Sequence, residues 1–163
     1  MRQVSLRLAT DNDIELVMAW RSHPLVYEGT YTQKTPLTWV EHLAWWRSRN
    51  QDWREFIITL TEDGFTRRVG ILTIVQLDHW SPEMGVYLGE TTLWRQGIAK
   101  EAVLQGFQWL REHGKDYCHT TIKWDNMAAA RLAESVGFQK FGEARPAESW
   151  YQICLKLEGG VAA

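Results

Sequence analysis

The segment LGETTLWRQGIAKEAVLQGFQWL, Leu88 to Leu110, changes its periodicity at a glycine, and this change limits the fold more tightly than any other feature. Before Trp94 it reads as a strand end and a loop. After Gly97, the residues Ile98, Ala102, Val103, Phe107 and Leu110 form one apolar helical face, with Gly114 near the stop. Ser, Thr, Asp or Asn would cap this helix better, so a glycine suggests a backbone that something approaches closely. Free N–H groups in a loop opening a helix, with the helix dipole behind them, form a cradle for an anion such as a pyrophosphate. Arg95 and Lys100 would add charge at its rim. The other reading of Gly97 is a residue that lets helix and strand pack closely.

The rest of the chain supplies a context for that junction. The alternation in VSLRL marks a first strand, and Thr10 with Asp13 has capping-box spacing ahead of the helix DIELVMAWRS, which His23-Pro24 ends. PLVYEGTYTQKTP reads as an irregular loop. Thr38 and Glu41 repeat the capping-box spacing before WVEHLAWWRSR. EFIITL and RVGILTIVQL are strands joined by a turn at Asp63-Gly64, and EMGVYL is the strand that feeds the glycine junction. HTTIKW is a strand. NMAAARLAESVGF is a helix with Asn126 at its cap and Gly137 at its end, and ESWYQICLKL closes as a strand.

With 163 residues, 45% hydrophobic and 23% charged, the chain suits one globular domain with a real core, expected over 1–157, and EGGVAA (158–163) reads as a disordered tail. A net charge of −2 provides no broad cationic surface for nucleic acid or an anionic membrane. No apolar run approaches the roughly 20 residues of a membrane span, and MRQVSLRLATDNDIE lacks the apolar core of a signal peptide, so a cytoplasmic protein is expected. Cys118 and Cys154 form no CxxC and sit in separate apolar patterns. They read as buried free thiols rather than a disulfide, nucleophile or metal site, and no metal is expected.

The order strand, two helices, antiparallel strands, strand-glycine-helix, strand-helix, strand resembles the GNAT superfamily of acyl-CoA N-acyltransferases over nearly the whole chain. WRQGIAKEA carries the resemblance at Gly97 and Ala99, where the family has Gln/Arg-x-x-Gly-x-Gly/Ala, although Trp94 stands at the lead position and Arg95 falls one place late. NMAAARLAESVGF resembles the family's Asn-rooted helix ending in Gly-Phe. Trp94 followed by Gly97-Ile98-Ala99 is similar to the branch of ribosomal-protein and nucleotide-sugar N-acetyltransferases. AWRSHP and EHLAWW resemble that branch's WRN and HLxWW segments, with Ser22 where Asn is common.

The resemblance implies a mixed α+β fold, a mostly antiparallel splayed sheet of about seven strands with about four helices. It implies acetyl-CoA as donor, with Trp94, Arg95, Gln96, Gly97, Ile98, Ala99 and Lys100 around the pyrophosphate. Val86, Tyr87 and Leu88 would hold the pantetheine arm on a strand splayed from HTTIKW, where a backbone N–H would stabilise the thioester oxyanion. Asn126 would contact coenzyme A from across the cleft, a role compatible with its serving as a helix cap. A neutral amine must attack the thioester, and Glu83 is the candidate that collects its proton, ahead of Glu90, His79 and His119. The family's usual tyrosine and serine acids are replaced here by Ala133 and Ala129. On the acceptor side, Arg21 could meet a phosphate and Tyr31 or Trp46 stack on a ring. Acceptors left open are an amino-sugar nucleotide, a protein N-terminus and another small amine. A homodimer and a non-catalytic acyl-CoA-binding module also stand as readings.

Overall fold

The computed structural model describes residues 1–30 and 32–156. The expectations for Tyr31 and for the tail lie outside these residues. Among them, strands β1 (Arg2–Leu8), β2 (Arg54–Glu62), β3 (Phe65–Val75), β4 (Glu83–Leu88), β5 (Tyr117–Lys123), β6 (Gln139–Arg145) and β7 (Glu148–Cys154) form one sheet in the order β1-β2-β3-β4-β5-β7-β6. Every neighbouring pair is antiparallel except β4 and β5. Those two are parallel and share a single register pair, Glu83 with His119, so the sheet parts beyond that rung. The splayed, mostly antiparallel sheet expected from the sequence is the one observed.

Helices α1 (Ile14–Arg21), α2 (Pro24–Tyr27) and α3 (Trp39–Ser48) precede β2, α4 (Ile98–Glu112) follows β4, and α5 (Met127–Ser135) follows β5. Both capping boxes form. Thr38 Oγ1 accepts from the Glu41 N–H at 3.3 Å while Glu41 accepts from the Thr38 N–H at 2.8 Å, and Asp13 accepts from the Thr10 N–H at 2.9 Å. Asp63 and Gly64 both take positive φ, 49° and 84°, the conformation a two-residue hairpin requires.

Two elements depart from the sequence reading. Where a loop was expected, Pro24 opens α2, because His23 Nδ1 accepts from the Leu25 N–H at 3.2 Å. Histidine is not among the usual N-caps, so no cap signal was visible. The strand β6 was not anticipated: it is an edge strand exposed along most of its length, and without a buried face it carries no period-two pattern.

Helices α4 and α5 cover one face of the sheet. Phe107, Leu110 and Ile98 of α4 join Leu72, Ile74, Met84 and Tyr151 in the larger core cluster, each large side chain contributing ~2 kcal/mol. Helices α1 and α3 cover part of the other face, over a smaller cluster of Val17, Trp20, Trp46, Ile57 and Ile71. Cys118 belongs to the larger cluster, and burial raises its thiol pKa well above the usual range. Cys154 is also free, but it is exposed at the end of β7 rather than buried.

Candidate active site

The loop after β4 leaves its backbone uncovered. Arg95 and Gly97 both lie in the left-handed region, at φ 63° and 81°, and a Cβ built on Gly97 would meet nothing within 4 Å. No side chain caps the start of α4, which leaves its first N–H groups facing outward from an exposed turn. Arg95, Gln96 and Lys100 are exposed around that turn, Ala99 is half-buried, and Ile98 is buried at 1% exposure, so Ile98 offers the turn only its backbone. Trp94 fastens the loop to β4, its indole N–H donating to the Leu88 carbonyl at 3.0 Å. Gly89 lets the Trp20 ring lie directly on the backbone just past β4, where any Cβ would collide with it.

Along β4, Val86 leans into the larger cluster and Leu88 is buried there, while Tyr87 points through the opposite face toward α1. Their side chains are thus occupied, and what remains toward the wedge between β4 and β5 is backbone. Asn126 does not stand free beside that wedge. Its Oδ1 caps α5 through the Ala129 N–H, and its Nδ2 donates to the Gly29 carbonyl, both at 3.1 Å. Lys123 Nζ donates to the Glu28 carbonyl at 3.0 Å, so two bonds tie the segment after α2 to the far wall of the wedge. Asn126 thus serves as the helix cap.

Glu83 stands at the vertex. Its Oε1 accepts from the Thr121 hydroxyl at 2.9 Å, and its Oε2 lies 3.8 Å from His119 Nε2. The weaker candidates are placed differently: Glu90 accepts from the Trp20 indole at 3.1 Å, and His79 sits over Ser81 in the β3–β4 connection. Ala133 is buried at 5% exposure, and Ala129 packs against the same core.

On the same face as Glu83, a group of polar side chains lies beneath α1 and α3. Arg21 stacks on Trp45, 3.8 Å from its centroid, and donates to His42 Nδ1 at 3.2 Å. His42 Nε2 in turn donates to the Ile14 carbonyl at 2.8 Å, and burial lowers its pKa, so it stays neutral beside the arginine. Glu55 is 4% exposed and accepts from the Trp53 indole at 2.9 Å and the Thr73 hydroxyl at 3.1 Å; its burial raises its pKa. The Tyr87 hydroxyl is buried without a partner among the described residues. Gly85 shares a register row with Thr73 and Glu55, and a Cβ there would meet open space. Trp46 is a core residue rather than a stacking surface. It is 4% exposed, its N–H is spent on Asp11 at 2.9 Å, and Arg49 covers its ring at 3.7 Å.

Glu55, Thr121 and Trp150 were not singled out in the sequence, since they come from separate strands and share no spacing, and His42 and Trp45, three apart on α3, were given no role. A buried glutamate opening the apolar run EFIITL was the one available signal. Among the described residues, no group of three or more His, Cys, Asp or Glu is placed to hold a metal ion, and no helix is long and apolar enough to cross a membrane.

Comparison with known proteins agrees with the fold. An uncharacterised protein from Methanocaldococcus jannaschii is 41% identical over 155 residues, which are 94% of this chain and 31% of that protein. The chain thus spans about a third of the length of the curated relative it matches. The crystal structure of a domain from Methanocaldococcus jannaschii superposes with a TM-score of 0.92 at 39% identity, covering 94% of this chain and 99% of that one. A spermidine N-acetyltransferase from Vibrio cholerae, solved with CoA and spermine, shares the fold with a TM-score of 0.79 at 14% identity, over 94% of this chain and 96% of that one. The family model described as "Acetyltransferase (GNAT) domain" matches residues 3–139, and with these relatives it makes the chain a member of the GNAT acetyltransferase family.

Proposed function

We propose that the chain transfers the acetyl group of acetyl-CoA to a primary amine by direct attack, and that the acceptor is an amino-sugar nucleotide. The observation that carries the donor half is the uncapped start of α4, with Arg95 and Gly97 left-handed before it, opening beside a wedge that has Glu83 at its vertex. Exposed N–H groups and the positive end of the helix suit a pyrophosphate, and unpaired strand edges in the wedge suit an amide-bearing arm. Glu83, oriented by Thr121, takes the proton from the incoming ammonium. With alanine at 129 and 133 no side-chain acid stands at the family's usual positions, and a thiolate with a pKa near 8 to 9 leaves at modest cost without one.

For the acceptor, the support is Arg21. Its guanidinium is held flat by Trp45 and oriented by a neutral His42, and further N–H groups remain for a phosphate. The orphaned Tyr87 hydroxyl and the open floor at Gly85 lie on the same face. A polycationic acceptor calls for a strongly acidic cleft, whereas here the guanidinium groups of Arg21 and Arg49 stand against the buried carboxylate of Glu55. The test compares rates on amino-sugar nucleotides, N-terminal peptides, polyamines and aminoglycosides, with wild type and Arg21→Ala. Nucleotide-linked amines should lead, and Arg21→Ala should cost them about tenfold or more in kcat/KM. Peptides or polyamines leading by tenfold, or an indifferent Arg21→Ala, would overturn the acceptor assignment and leave the donor assignment standing.

A further inference from the structure

The other dense group of titratable side chains gathers on the rung where β4 and β5 meet. A cavity of about 570 Å³ opens onto it, lined by Glu83, His119, Thr121, Trp150 and, farther out, His79 and Arg145. His119 is 3% exposed and held on three sides. Its Nδ1 donates to the Ser81 carbonyl at 2.6 Å, which fixes the tautomer and leaves the Nε2 lone pair facing Glu83. Its ring lies on the Trp150 indole with centroids 4.1 Å apart and planes 7° from parallel, a surface that favours a flat cation. Gln152 donates to the Ser81 hydroxyl at 3.3 Å and steadies the residue that orients the ring. Thr121 holds one Glu83 oxygen, so the other is directed at His119.

We propose that Glu83 and His119 act as one proton-accepting pair, in which His119 Nε2 holds, against the face of Trp150, the proton that Glu83 takes from the acceptor ammonium. The inference rests on the acetyl-transfer reading and concerns only how the proton departs. Glu83 removes one proton from the ammonium and passes it to the His119 lone pair. The freed nitrogen pair forms the N–C bond, the C–S bond breaks with its electrons on sulfur, and a second N–H proton neutralises the thiolate. His119 then releases its proton to solvent through the cavity, so the net yield is amide, thiol and one proton. His119 acts through Glu83 and is a positioning residue in this scheme.

The groups facing this histidine are Glu83 on β4, His79 and Asp78 in the β3–β4 connection, and Arg145 on β6, which is bonded to Glu148. Burial lowers its pKa, the Ser81 carbonyl and the Glu83 charge raise it, and His79 opposes them. The lowered result leaves the imidazole neutral and receptive at neutral pH.

The test follows the imidazole of His119 by NMR in the full chain without substrate, in wild type and Glu83→Gln, beside rate profiles of both and of His119→Gln. Nε2 should carry the lone pair at neutral pH and gain a proton on acidification, and Glu83→Gln should move that titration to lower pH. Glu83→Gln and His119→Gln should each lower kcat by ~10²-fold or more, and the acid limb of kcat/KM should follow the His119 titration. A proton on Nε2 at neutral pH, a titration indifferent to Glu83→Gln, or full activity in His119→Gln would each overturn the pair. Should His119→Gln not fold, the titrations decide without it. A coupled titration in a protein that acetylates no amine would overturn the acetyl-transfer reading and this inference with it, whereas turnover with an uncoupled titration would overturn the pair alone.

Discussion

The two faces of the sheet are held by different means. Under α4 and α5 the contact is apolar, with Ile98, Phe107, Leu110 and Phe138 packed on Leu72, Met84 and Tyr151. Under α1 and α3 a small apolar cluster is supplemented by polar ties: Trp46 to Asp11, His42 to the Ile14 carbonyl, Trp20 to Glu90, and Arg7 and Arg68 to a fully buried Asp13. The first face presents backbone N–H groups at a helix start and the second presents side chains. Apolar burial fixes where helices sit whatever the salt or pH, and that suits a cradle made of backbone. Polar ties fix the orientation of individual groups, which leaves that face defined by its side chains.

The contrast can be strained from either side. Phe107→Ala removes a ring 3% exposed that packs against Phe138 at 5.5 Å, and should cost about 3–5 kcal/mol in urea unfolding, little changed by salt. Asp13→Asn should cost about 2–3 kcal/mol, because two guanidinium groups lose their shared acceptor. Asp13 adds a dependence on acid. Hydrogen bonds from Arg7, the Thr10 N–H and Arg68 outweigh its burial and hold its pKa well below the usual carboxylate range. Its contribution is therefore complete above the unfolded value near 4 and is lost as pH falls toward the folded one. Unfolding measured from pH 7 down to pH 3 should show that loss in wild type and a shallower one in Asp13→Asn; parallel curves would remove the distinction between the faces. The smallest effect concerns the cradle. Gly97→Val places a branched side chain at φ 81° and blocks the N–H groups, and should weaken coenzyme A binding by about tenfold or more while the fold persists. Unchanged affinity in calorimetry would show that the loop does not receive the phosphates.

What could be read from the sequence divides along the same line. The face of α4, the two capping boxes and the Asp63-Gly64 turn are local patterns with one physical solution, and all formed as expected. Gly97 was legible because its φ excludes other residues at low cost. Side chains whose meaning depends on a distant partner were not. Trp46 has the same composition signal as a stacking platform, but Asp11 and Arg49 make it core. Asn126 reads as a cap from its own helix, but its bond to the Gly29 carbonyl comes from a segment nearly a hundred positions earlier in the chain. His119 stood behind Glu83 as a candidate base, and only the register with Glu83 and the ring of Trp150 give it company.

The single rung between β4 and β5 has a consequence for how the molecule loses order. With so little shared pairing, β1 to β4 and β5 to β7 are joined mainly by the larger apolar cluster, which holds Leu72 and Met84 from one part and Cys118, Ile122 and Tyr151 from the other. The seam between the parts runs between Glu83 and His119. Loosening of that cluster is therefore expected to disturb the alignment of these two groups before either half of the sheet loses its own ladder.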